Sequence, residues 1–189
     1  MPDMQARSPL TSERIVGTDF EMCELPRVAK ARVQALRSRG VNTPCSDPHH
    51  LPTSPNTAVG DDPFVLWKAP DDWLAYSQTL SGTQLCDILG GIPASAPLIV
   101  TDVSSASVVI QLSGARVSEV LMRDCTLDLE GGALSPGACV QTAFAQVNVV
   151  LHRPRNGKTW RLFVERSVAS HVWAWLSNGI DISPTPDNV

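Results

Sequence analysis

The segment from Cys139 to Leu176 constrains the fold more than any other part of the chain. Two strand-length apolar runs, Cys139–Phe144 and Gln146–Leu151, follow closely enough to pair. Asn156-Gly157 reads as a two-residue hairpin turn, because both residues tolerate positive φ, and Thr159–Val164 is the returning strand. Ser167 is placed to cap a helix through its hydroxyl. The period then changes: Val168, Val172, Trp175 and Leu176 fall at i, i+4, i+7 and i+8, one apolar stripe that leaves Trp173 projecting elsewhere. Gly179 ends this helix, and Pro184 and Pro186 keep the tail from continuing it. Consecutive antiparallel strands followed by a one-sided helix call for a sheet covered on one face.

The preceding stretch repeats the theme. Leu98–Val103 and Ala106–Leu112 read as strands, the second rich in β-branched Val108, Val109 and Ile110. Ser113-Gly114 turns the chain, and Val117, Val120 and Leu121 make one helix face. Gly131-Gly132 and Pro136-Gly137 are turns. Earlier, Phe20–Leu25, Phe64–Lys68 and Asp72–Ser77 read as strands, and Thr83–Leu89 as a short helix stopped by Gly90 and Gly91. Ala31–Leu36 alternates apolar and polar residues and is read as a strand, although Ala and Arg also suit a helix. The pattern is α+β: antiparallel, ferredoxin-like sheets with helices packed on one face, built from split β-α-β units. The uncovered face of such a sheet is a candidate docking surface. Residues 1–17 are expected to form a flexible leader, 18–180 a single domain with a long Pro-rich loop at 39–62, and 181–189 a tail.

Charged residues make up 18% of the chain, below the ~25% usual for soluble domains, which suits a protein that hides surface against a partner. The net charge of -4 gives no general attraction to phosphate backbones, and the basic run Lys30, Arg32, Arg37 and Arg39 lacks interleaved aromatics. Five scattered cysteines without an apolar leader segment point to free thiols in a reducing cytoplasm. No run approaches the ~18 apolar residues of a membrane span.

Cofactor and catalytic signatures are missing. No Gly-x-Gly-x-x-Gly follows a strand and no P-loop exists. Cys45, His49 and His50 lie close together, but a structural zinc site wants four ligands, commonly as two pairs, and no second pair follows. Ser104 and Ser105 near Asp102 suit turn capping better than nucleophilic catalysis, since no His is close in sequence. His152 and His171 read as structural, and Asp71-Asp72 as a turn or strand entry. The tryptophans are the more distinctive residues. Trp67, Trp73 and Trp173 are the interface candidates, because Trp is enriched where binding energy concentrates, and a second packed face within the chain is the equal alternative.

Several segments together resemble the gamma subunit family of heterotetrameric sarcosine oxidase: Leu51-Pro52-Thr53-Ser54-Pro55-Asn56-Thr57, Leu66-Trp67-Lys68-Ala69-Pro70-Asp71-Asp72-Trp73-Leu74, Val100-Thr101-Asp102-Val103-Ser104, Asp124-Cys125-Thr126-Leu127-Asp128-Leu129, Pro136-Gly137-Ala138-Cys139-Val140-Gln141-Thr142 and Trp173-Ala174-Trp175-Leu176. Each alone is weak, and their shared order is the specific feature. The resemblance implies a fold similar to the folate-binding domain of aminomethyltransferases. It also implies alpha, beta and delta partner chains that carry FAD, FMN, NAD, tetrahydrofolate and zinc, with this chain as a non-catalytic structural companion in oxidative N-demethylation of a secondary amine. The same type of chain occurs in N-methylglutamate dehydrogenase-like complexes, and a free-standing folate-binding protein is the further alternative, resting on fold analogy alone. Where aminomethyltransferase-like domains place a folate-engaging carboxylate, the resemblance puts Asn148, which cannot act as a general base.

Overall fold

The computed structural model describes residues 8–10, 14–36, 50–129 and 134–180. Eleven strands and three helices are present among them. The strands are β1 (Ile15–Gly17), β2 (Phe20–Glu24), β3 (Ala29–Ala35), β4 (Ala58–Val59), β5 (Phe64–Ala69), β6 (Asp72–Ser77), β7 (Leu98–Asp102), β8 (Ser107–Ser113), β9 (Ala138–Phe144), β10 (Val147–Arg153) and β11 (Thr159–Glu165). The helices are α1 (Gly82–Gly90), α2 (Val117–Met122) and α3 (Ala169–Ile180).

The strands form two antiparallel sheets. One has the order β1-β2-β8-β11-β10-β9, the other β4-β5-β6-β3-β7. Side-chain alternation gives each sheet two apolar faces, and these assemble four layers. Ile110, Leu112, Leu151, Leu162 and Val164 of the six-stranded sheet pack under Val117, Val120 and Leu121 of α2 and Val172 and Leu176 of α3. Ala31, Val33, Val65, Trp73 and Ala75 of the five-stranded sheet pack against Leu85 and Leu89 of α1, together with Leu51. The remaining faces meet: Leu66 and Tyr76 from one sheet contact Val109, Cys139 and Phe163 from the other. Each sheet thus carries its helices on one face only. The face expected to stay open instead packs, over part of its area, against the second sheet.

The sheets are also stitched at an edge. Thr57 bridges Ala138, Ala58 N–H donates to the Gly137 carbonyl at 3.2 Å and Cys139 N–H to that of Asn56 at 3.0 Å. These bonds come from the end of the predicted Pro-rich loop, which therefore contains the short strand β4. No helix among the described residues is long and apolar enough to cross a membrane.

Several local expectations need correction. The described residues of the predicted leader enter the fold, with Leu10 buried at 6% exposure and β1 paired to β2. The β10–β11 connection spans residues 154–158 rather than two residues, and within it only Gly157 has positive φ. The tight hairpin is instead β9–β10, where Ala145 and Gln146 take φ of 49° and 65°. Gly91 closes α1 in the right-handed region, bonding back to the carbonyls of Asp87 and Ile88. A 3-10 turn at Arg166–Val168 feeds α3, with no side-chain cap at its start. The buried stripe of α3 is Ala169, Val172, Trp173 and Leu176, whereas Trp175 is 42% exposed.

Gly114 is a turn where glycine is required. Its φ is +114°, and an added Cβ would run into the Asp19 carbonyl oxygen. Gly114→Ala is expected to destabilise the chain by about 2 kcal/mol, from backbone strain plus the clash. The urea midpoint checks this, and a loss below ~0.5 kcal/mol, the range of neutral surface changes, would contradict it.

Candidate functional site

Tyr76 on β6 and His152 and Arg161 on β10 and β11 point into the layer between the sheets. The hydroxyl of Tyr76 lies 2.7 Å from Nδ1 of His152, and Arg161 Nη1 donates to the same hydroxyl at 2.5 Å. A guanidinium only donates, so the tyrosine oxygen accepts from it and the one phenolic hydrogen goes to Nδ1. His152 therefore carries its proton on Nε2 and is neutral. Burial, helped by the Arg161 charge, lowers its pKa to about 3. Burial raises that of Tyr76, against the opposing pull of Arg161.

Arg161 is 8% exposed and, among the described residues, has no carboxylate partner. Its Nη2 donates to Gln78 Oε1 at 2.8 Å. Its guanidinium carbon lies 4.9 Å from the Phe64 ring centre and 5.1 Å from that of Tyr76, and Nε is buried without an acceptor. Amide, hydroxyl and ring faces replace a counter-ion here. The trio is an acid–base-type cluster by composition. Its members are packed among Phe64 and Phe163 and do not line the main inter-sheet cleft. Its clearest effect is to tie one sheet to the other.

Beyond this closed region the sheets splay into a cleft of about 760 Å³. Leu74, Val150 and Phe163 contribute its apolar lining, with Arg32 and Lys68 from the five-stranded sheet and Glu165 from the six-stranded one. Arg32 is engaged by Asp72 through two bonds of 3.0 and 2.6 Å. Gln141 reaches across to the Lys68 carbonyl at 2.5 Å. Asn148 lines the same cleft and is exposed. The part of the inner face left uncovered is thus polar at its rims and apolar at its centre.

The residues singled out from sequence are placed as follows. Trp67 and Trp73 stand directly opposite each other on β5 and β6, on the face toward α1. Trp73 is 2% exposed and its Nε1–H donates to the Pro52 carbonyl at 2.7 Å. Trp173 is 9% exposed. Both side chains fill the chain's own layers, the internal packing that is the alternative to a contact at an interface. Trp67 is half-buried. Trp175, not singled out as an interface residue, is the exposed tryptophan of α3, and its Nε1–H donates to Asp124.

Ser104 donates to Asp102 through both its hydroxyl, at 2.6 Å, and its backbone N–H, at 2.8 Å. These bonds hold the Asp102 carboxyl below its usual range. The same serine oxygen accepts from the Lys30 N–H at 3.0 Å, so the pair fastens the end of β7 to β3. Asp71 occupies a turn at φ 61°. His171 contacts the Ala145 carbonyl at 3.1 Å. Cys45 and His49 lie outside the described residues, among which no three His, Cys, Asp or Glu side chains converge as metal ligands.

The comparisons with known proteins agree with one another. Residues 49–181 match the family model for the sarcosine oxidase, gamma subunit family. Sarcosine oxidase subunit gamma of Corynebacterium sp. (strain U-96) is 30% identical over 128 residues, which are 67% of this chain and 61% of the relative. That of Arthrobacter sp is 30% identical over 124 residues, 65% of this chain and 59% of the relative. The matched part therefore spans less than two thirds of these relatives' length.

Among solved structures, a chain of the heterotetrameric sarcosine oxidase from Corynebacterium sp. U-96, in complex with pyrrole 2-carboxylate, superposes with a TM-score of 0.75 at 23% identity, covering 93% of this chain and 91% of that one. The glycine cleavage system aminomethyltransferase T from Bartonella henselae shares the fold at a TM-score of 0.59 and 11% identity, over 85% of this chain and 46% of that one. The predicted likeness to an aminomethyltransferase domain thus holds for the architecture. On the match of its residues 49–181, the chain belongs to the sarcosine oxidase gamma subunit family.

Proposed function

We propose that this chain is a non-catalytic structural subunit of a heterotetrameric, sarcosine oxidase-type flavoenzyme complex that oxidatively demethylates a secondary amine. The observation that carries this reading is the family match across 49–181 together with a fold shared, over 93% of the chain, with a chain of such a heterotetramer. The packing supports it: the tyrosine–histidine–arginine cluster is spent on joining two sheets. In this reading alpha, beta and delta chains carry FAD, FMN, NAD, tetrahydrofolate and zinc, and the complex works in the cytoplasm. Residues 18–180 act as one domain, which Leu10 and β1 join from the segment before it. Of the three tryptophans considered as contacts, Trp67 takes that role, alongside the open inter-sheet cleft.

Co-expression with the alpha, beta and delta chains tests the proposal. A stoichiometric, flavin-containing assembly is expected, with an interface of the ~2,000 Å² or more typical of permanent complexes. Elution of this chain as a well-folded monomer, apart from flavoprotein chains that assemble without it, would overturn it. Assays of the purified complex with sarcosine and with N-methylglutamate then identify the amine.

A further inference from the structure

A second cleft, of about 460 Å³, opens where the β2–β3 connection, the start of α1, the β7–β8 turn and Arg166 meet. Lys30 lines it and is only 3% exposed. Its ammonium donates to the Val28 carbonyl at 3.1 Å. Among the described residues it has no other hydrogen-bond partner and no ion pair, so two of its three N–H donors are unassigned.

The carboxylates nearest in charge are committed elsewhere. Glu24 accepts from the Ser8 hydroxyl at 2.6 and 2.7 Å. Asp102 is held by Ser104 and lies so close to Gly82, at the start of α1, that a Cβ there would run into its Oδ2. Meanwhile Arg27 and Arg166 line the same cleft, as do the hydroxyl-bearing Ser81, Ser105 and Ser107. Three cations and one already engaged carboxylate therefore line a cavity on a chain whose net charge is -4.

We propose that this cleft binds a small oxyanion, a carboxylate or phosphate group, with Lys30 as the cation on its floor and Arg27 and Arg166 at its rim. A buried ammonium without a carboxylate partner is costly to keep, and a bound anion would supply both the missing acceptors and the missing charge. Burial already lowers the Lys30 pKa to about 8, opposed by Asp102 and Glu24 at longer range and aided by Arg166. The inference does not depend on the assembly proposed above.

Hydrogen–deuterium exchange read by mass spectrometry tests it, in the full chain or in its co-purified complex, because it reports on this chain's own peptides. The probes are inorganic phosphate and acetate, each against chloride at constant ionic strength. One or both is expected to slow exchange several-fold in peptides covering residues 24–31 and 102–108. Whichever protects names the anion class. In Lys30→Met the protection is lost, and in Arg27→Ala, a change at an exposed position, the half-saturating concentration rises several-fold. Absence of protection by both probes in the wild type, or equal protection in Lys30→Met, would overturn the proposal.

Discussion

Acidification from neutral pH to about 4.5 is expected to remove about 2.5 kcal/mol of unfolding free energy through His152 alone. The imidazole is 1% exposed, and Nδ1 is occupied by the tyrosine hydroxyl hydrogen. A second proton there would set two donors against each other beside the Arg161 charge. The folded pKa of about 3 lies below the ordinary 6.5. Between these values the unfolded chain binds a proton that the folded chain refuses. The contribution is therefore complete above pH 6.5 and is lost as pH falls toward 3. His152→Gln keeps an acceptor for Tyr76 and removes the titration. The measurement is the wild-type-minus-variant difference in urea unfolding at pH 7.5 and 4.5, in which the carboxylates common to both proteins cancel. An unchanged difference at the two pH values would show that His152 does not titrate between folded and unfolded states.

That cluster also marks where the sequence stopped being legible. Strands β8 through β11 were readable because alternation and β-branched runs persist for seven residues in each. The pairing of the two sheets was not. Tyr76 and His152 are 76 residues apart, and nothing in either neighbourhood says which face of its strand meets the other sheet. On α3, the predicted and observed stripes share Val172 and Leu176. The choice turned on Ala169, whose small side chain weighs little in a hydrophobic pattern, yet it is fully buried and brings Trp173 inward in place of Trp175. The β9–β10 turn is silent in the sequence because Ala145 and Gln146 carry none of the usual turn chemistry, whereas Asn156-Gly157 carries it and closes a longer loop. In sequence, Lys30 and Arg32 belong to one basic run. The strand pairing separates their surroundings: Arg32 reaches Asp72, and Lys30 turns into a cleft that no local pattern announces. Arg37 and Arg39 lie outside the described residues.

Lys30→Met is expected to stabilise the anion-free protein by about 2 kcal/mol at pH 7, or roughly 4–8 °C in Tm for a chain of this size. A drop from 10.5 to about 8 corresponds to a penalty of about 3 kcal/mol for the charged form, at ~1.4 kcal/mol per pKa unit. Methionine keeps the stem volume and removes the ammonium; the lost bond to Val28 returns part of the gain. The sign with pH follows from the lowered pKa. From pH 8 to 10.5 the folded lysine has released its proton while the unfolded one still holds it, so wild-type stability rises and the gap to the variant narrows. The groups around Lys30 do not reverse this. The charged neighbours are Asp102, Glu24 and Arg166; Asp102 is held below its usual range, and Tyr76, the cross-strand neighbour, stays neutral because its own pKa is raised. Urea unfolding at pH 7 and 10 decides the matter. A destabilised variant, or a gap that does not change with pH, would mean that the ammonium is already well compensated in the folded chain and has no need of an external anion.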